Sequence, residues 1–197
     1  MSEAVAVKGE DRRERLLQAA ERCFVASGFH GARMAQIAKE AQMSPGHIYH
    51  YFDSKEQIIA ELVRAHVGEK QAMFDRFEQA GEQIVDELVE CVEEGVDSNT
   101  EPFWSALMLE ITAEATRNSE IAEVMRAVDA EIRARVVKSL GDGVCKADLD
   151  ARLEVMVAIF QGMGIRNIVN PGLDKKAVVK VMREVVEALF RAPKPAA

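Results

Sequence analysis

Cysteine is scarce in this chain. Three residues in 197 (Cys23, Cys91 and Cys145) make an odd number without metal-ligand spacing, which excludes a disulfide scaffold and points to a reducing interior. Aromatic residues are 6% of the chain, with 5 Pro and 12 Gly, so neither a collagen-like nor a low-complexity architecture fits. Long apolar runs are missing as well. A membrane helix needs ~20 apolar residues, whereas the best stretch here, residues 153–165, contains Glu154. The opening MSEAVAVKGEDRRER has no apolar segment followed by a small-residue cleavage site, so no export signal is read there. These absences lead to the expectation of a cytoplasmic, cofactor-free chain. What is present is 48% hydrophobic and 29% charged residues, enough for one or two ordinary globular domains.

The net charge of −8 is unevenly placed. Residues 1–57 carry eight Lys/Arg and eight Asp/Glu, together with His30, His47 and His50; residues 58–197 carry 17 Lys/Arg against 25 Asp/Glu. An acidic chain still binds nucleic acid if its acidic mass lies away from the contact face. Net charge alone therefore decides nothing about DNA.

Chain breakers are few: Gly28, Gly31, Pro45, Gly81, Pro102, Gly141, Gly143 and Pro171-Gly172. Between them apolar residues recur at three and four, and no stretch alternates at period two. From residue 11, Leu16, Leu17, Ala20, Cys23, Phe24 and Ser27 share one helical face, with Cys23 expected as a small core residue. That helix should stop at Gly28, with Phe29 as the apolar partner of the cap. A second helix is expected over 33–40, with Met34, Ile37, Ala38 and Ala41 inward. A third should begin at Ser44, where serine caps and Pro45 suits the first helical position. Asp53 and Ser54, with Glu56 and Gln57 three places on, start a fourth. Longer helices follow over 54–79, 82–96, 102–117, 119–140, 148–169 and 174–191, and the tail from Ala192 is expected to fray. The fold class is all-α, with about nine helices.

Two short helices joined by a tight turn, supported by a preceding helix, make a helix-turn-helix candidate. The second helix of such a motif enters the major groove with its N-terminal residues against base edges. Here Ile48 and Phe52 can anchor it, leaving Pro45, Gly46, His47, Tyr49 and His50 on the other side. Gly46 permits close backbone approach, and Tyr49 and His50 can donate to phosphates. The basic footprint is faint, because residues 42–55 contain one Lys and one Asp. Taken by themselves, these residues also fit an ordinary surface packing helix.

The stretch GFHGARMAQIAKEAQMSPGHIYHYFDSKEQII, residues 28–59, strongly resembles the DNA-binding region of TetR-family transcriptional repressors. The matching elements are Gly28-Phe29, Met34, Ile37-Ala38, Ser44-x-Gly46-x-Ile48-Tyr49-His50-Tyr51-Phe52 and Phe52-x-x-Lys55-Glu56. The resemblance extends over about residues 10–70, with the motif at 33–52, and assigns residues 71–192 to ligand binding and dimerisation. It implies a dimeric repressor that binds a palindromic operator and leaves it when a small molecule binds. It also implies base-edge positions for Pro45, Gly46 and His47, and phosphate or base contacts for Tyr49 and His50. Lys55 matches a backbone contact, Ala35 and Gln36 sit where some members reach DNA, and Ser44 opens the reading helix. Two departures stand out. Ala32-Arg33 replaces the usual Ser or Thr cap, so that Arg33 would have to supply the phosphate contact; Gln42 stands where the turn usually carries Gly.

For the remainder, helix 148–169 is apolar almost all round and must be covered all round. Helix 174–191 carries stripes at Val178, Val181, Met182, Val185 and Leu189 and at Val179, Val186 and Phe190. Two such helices from each subunit can form the homodimer interface that the resemblance implies, with Gly162 and Gly164 allowing close approach; the same pattern also fits central helices of a monomeric bundle. Methionine adapts to variable ligands, and an apolar or amphipathic effector is expected between helices 54–79, 102–117 and 148–169, touching Trp104, Met108, Met156 and Phe160. Glu110 and Glu114, one turn apart, read most simply as a solvated face. An enzyme is the competing reading, but no Gly-rich phosphate loop, Cys/His ligand cluster or nucleophile elbow is present. A helical adaptor binding protein partners is a third reading, which specific DNA binding would exclude.

Overall fold

The computed structural model describes residues 2–140 and 148–191, with side chains described from Asp11 onward. Gly141, Gly143, Cys145 and the tail from Ala192, read above as breakers, a thiol and a fraying end, lie outside the described residues. Among the described residues the chain is helical without a strand.

The helices divide into two compact units. One contains the residues up to Gly68 together with Ala106–Val128; the other contains Glu69–Ser105 and the residues from Asp129 onward. The first unit thus combines the residues up to Gly68 with a later stretch, Ala106–Val128.

In the first unit α1 (Ser2–Gly31) packs against α2 (Met34–Glu40) and α3 (Lys55–Gly68). The helix begins earlier than the periodicity from residue 11 predicted. The buried face of α1 carries Leu16, Ala20, Cys23 and Phe24, as expected, opposite Ile37, Ile58, Ile59 and Leu62. Gly28 breaks the helix with φ 69, ψ 168, a left-handed φ that glycine adopts without Cβ strain. Phe29 then turns back onto Phe24, ring centroids 5.8 Å apart. Between α2 and the next element Gln42 has φ 59. Its amide donates to Lys39 O at 3.0 Å and that of Met43 to Ala38 O at 2.8 Å, a Schellman ending with a non-glycine at its left-handed position.

The third helix is shorter than its sequence signal. Residues 45–47 form a turn, and only Ile48–His50 is helical, as one 3-10 turn. Gly46 and five aromatic or β-branched residues at 47–51 have little helix propensity, and the amides of His47, His50 and Tyr51 donate three residues back. Ser44 offers its backbone oxygen to His47 N rather than a side-chain cap. The Ser54 cap does form: Ser54 Oγ accepts from Gln57 N at 3.2 Å, while Gln57 Oε1 accepts from Asp53 N at 2.8 Å.

A single helix over 54–79 is not what forms. α3 ends at Gly68, and α4 (Gln71–Ala80) starts after a turn at Glu69-Lys70. Gly68 supplies the weak helical position at which the break occurs. In the second unit α4 meets α5 (Ile84–Glu90), and α10 (Lys175–Phe190) packs on α5 and α6 (Val92–Asn99). The segment 82–96 is also divided, by Cys91 at φ −74, ψ −4. α9 (Leu149–Val169) lies against α6 and α10. α7 (Pro102–Ala115) and α8 (Ser119–Leu140) follow the expected spans closely.

Candidate nucleic-acid interface

Ile48 and Phe52 are buried, at 0% and 3% exposure, and hold the reading segment to the core of the first unit. Between them Tyr49 and His50 are exposed, Tyr49 at 55%, while Tyr51 is half-buried. A large aromatic left in water at a motif tip has no packing explanation within the chain, while a nucleic-acid backbone would use its hydroxyl. Arg33, Ala35, Gln36, Ser44, Pro45, Gly46 and His50 are exposed, and His47 is half-buried. His47 stacks edge-on with His50 and Tyr51, at centroid distances of 5.3 and 5.5 Å. Arg33 occupies the N-cap of α2 in extended conformation without a side-chain cap, as its departure from Ser/Thr implied, so its guanidinium is not spent on capping.

Lys55 points elsewhere. Its Nζ donates to Ala32 O at 3.0 Å and also to Phe29 O, and lies 4.2 Å from the Phe29 ring centroid. Burial pushes this ammonium below the usual lysine range, while Glu56 and Glu114 pull it back up. The lysine ties together the α1–α2 junction instead of presenting its charge outward. Its contact with two carbonyls across more than twenty residues has no local sequence signature.

Glu110 and Glu114 are not a solvated face either. Glu114 is 2% exposed and pairs with Arg117 Nη2 at 2.6 Å and His30 Nε2 at 3.0 Å. Glu110 Oε2 accepts from Phe29 N at 3.4 Å and would lie 3.2 Å from a Cβ at Gly28. Asn118 Nδ2 donates to Glu56 Oε1 at 3.2 Å. Within the first unit, therefore, residues 110–118 grip both ends of the motif. The Arg three places after Glu114 was the available hint of a buried pair. With Arg117 and His30 as partners, the Glu114 carboxylate is compensated within the chain.

The expected effector residues Trp104 and Met108 are half-buried in α7, and Met156 and Phe160 half-buried in α9. The Phe160 ring covers Gly95 of α6 so closely that a Cβ there would sit 2.7 Å from it. Gly164 approaches Asn99 O of the same chain, at 2.9 Å for a built Cβ, whereas nothing lies within 4 Å at Gly162. Asn167, buried and not foreseen, donates to Thr100 O at 2.9 Å and closes this α6–α9 seam. Around the same unit Val155, Ile165, Ile168, Val169 and Val181 remain exposed. Among the described residues no helix is long and apolar enough to cross a membrane, and no cluster of three or more His, Cys, Asp or Glu is placed to hold a metal.

Comparison with known proteins gives this arrangement its relatives. Residues 16–62 match the family described as bacterial regulatory proteins, tetR family, and residues 85–191 match the C-terminal domain of BetI-type transcriptional repressors. The HTH-type transcriptional regulator UidR of Escherichia coli strain K12 is 32% identical over 152 residues, covering 76% of this chain and 74% of its own. BetI of Rhizobium meliloti is 26% identical over 184 residues, covering 92% of this chain and 90% of its own. Among solved structures, Salmonella enterica GusR superposes with TM-score 0.72 at 27% identity, over 91% of this chain and 95% of that one. A transcriptional regulator from Saccharomonospora viridis, solved in complex with choline, shares the fold at TM-score 0.69 and 21% identity, over 93% of this chain and all of that one. These relatives are regulators of transcription, not enzymes, and the chain belongs to the TetR family of transcriptional regulators.

Proposed function

We propose that this protein represses transcription by binding a palindromic operator as a homodimer, and that a small apolar or amphipathic effector releases it. The reading rests above all on Tyr49, more than half exposed between the buried anchors Ile48 and Phe52. The DNA contacts fall to Arg33, Ala35, Gln36, Ser44, Pro45, Gly46, His47, Tyr49 and His50. The exposed Ile165, Ile168 and Val169, close together on α9, with Val181 of α10, support self-association through these helices, since scattered single apolar residues need no explanation but a local group does. Trp104, Met108, Met156 and Phe160 are the proposed effector residues; a choline-bound relative of the same fold supports a small-molecule ligand. Because the site acts on chromosomal DNA, the protein is placed in the cytoplasm.

Footprinting of the DNA upstream of its own coding sequence, followed by a metabolite screen for release, tests this reading. A protected palindrome is the expected result. Tyr49→Phe should weaken binding by roughly 1 kcal/mol on specific and mixed-sequence DNA alike, the worth of one phosphate hydrogen bond. Wild-type affinity in that variant at several salt concentrations would remove Tyr49 from the interface.

A further inference from the structure

We propose that DNA binding by this head is linked to proton uptake at His47 and His50, so that affinity rises as pH falls through the histidine range. The proposal rests on the DNA-binding reading of the same segment. DNA affinity comes largely from cations placed against phosphates, and residues 42–55 contain a single Lys and no Arg. That lysine, Lys55, is committed to the carbonyls of Phe29 and Ala32. The remaining groups of the segment able to become cationic are its two imidazoles, at the surface where the motif would meet the duplex.

Several of the charged groups on the elements around the two imidazoles are engaged elsewhere. From α1, Arg13 pairs with Glu61 and lies over the Phe52 ring, and Arg22 pairs with Glu40 of α2. From α2 itself, Arg33 and Lys39 are exposed. From α3, Glu56 accepts from Asn118. On the segment's own side, Asp53 accepts from Gln57 Nε2 at 3.3 Å, and the Tyr51 ring packs on His47. Among the described residues no carboxylate forms an ion pair with His47 or His50. The two rings lie 5.3 Å apart, centroid to centroid, so phosphates brought to this face favour the protonated form of both. Binding therefore draws protons in, and linkage requires lower pH to tighten the complex.

The test measures affinity of the full-length protein for a mixed-sequence duplex and for its protected site, from pH 8 to pH 6 at fixed ionic strength. Wild type should bind roughly tenfold tighter at the acidic end, the effect of one unit of proton linkage, and with a steeper dependence on salt. The double variant His47→Gln, His50→Gln, checked for wild-type helicity, should lose that pH slope and the added salt dependence. His30→Gln should keep both, because its partners are Glu114 and Arg117. Wild-type binding that is flat across the range, or a double variant that keeps the full slope, overturns the proposal. Absence of binding at every pH would instead overturn the DNA reading, and this inference with it.

Discussion

At the scale of the residue, Lys55 shows how a side chain of the expected type can do a different job from the one its position implies. Two carbonyls and an aromatic face absorb its ammonium. Lys55→Met should therefore destabilise the protein by about 1–2 kcal/mol, the scale of a lost charged hydrogen bond and cation–π contact, with the salt slope of DNA binding unchanged. Denaturant unfolding and binding at several salt concentrations check this; a slope lowered by about one with stability intact would show that the lysine reaches phosphate. Gln42 is the other instructive residue. It completes the cap of α2 at φ 59, a conformation strained for any side chain, and Gln42→Gly should raise unfolding free energy by roughly 0.5–1 kcal/mol. A lower midpoint of thermal unfolding would contradict that account.

At the scale of the element, most helices were legible because their breakers and periodicity agree. The spans of α7, α8, α9 and α10 follow Pro102, Ser119 and the apolar stripes to within a few residues. The signals failed where tertiary contact outweighs local pattern. Ser44-Pro45 announces a helix that residues 46–51 are too weak to extend, and a continuous apolar stripe hides the turn after Gly68. Glu110 and Glu114 have a solvated spacing and a buried fate, decided by Phe29, His30 and Arg117 from distant sequence. Gly164 was expected to serve approach between subunits, yet it lies against Asn99 O within one chain. Gly164→Ala should cost about 1–3 kcal/mol, because the obstructing atom is backbone and cannot swing aside. Gly162→Ala, with open space around it, should not lower the stability of the fold. Equal unfolding midpoints for the two variants would refute the close approach at Gly164.

At the scale of the whole molecule, the family was recoverable from residues 28–59, whereas the effector is not, since half-buried Met and Phe side chains carry no chemistry specific to one ligand. Assembly is the more accessible question. Ile165 and Val181 are both about half exposed, at 49% and 57%, so Ile165→Glu with Val181→Glu should leave the single chain folded. In an interface the two carboxylates would be buried unpaired at prohibitive cost. Light scattering should then give the mass of one chain with native helicity; a folded dimer would place the interface elsewhere.

The single 3-10 turn at Ile48–His50 has a consequence in time as well as in space. With a turn before it and a single 3-10 turn of its own, the exposed tip of the segment can open locally while the anchors Ile48 and Phe52 stay buried. In hydrogen–deuterium exchange its amides, 46–51, should be the fastest of the first unit in the free protein and slow markedly once DNA is bound. Part of the intrinsic affinity of the motif would thus be consumed in ordering it, leaving a regulator quick to sample sequences and ready to let go.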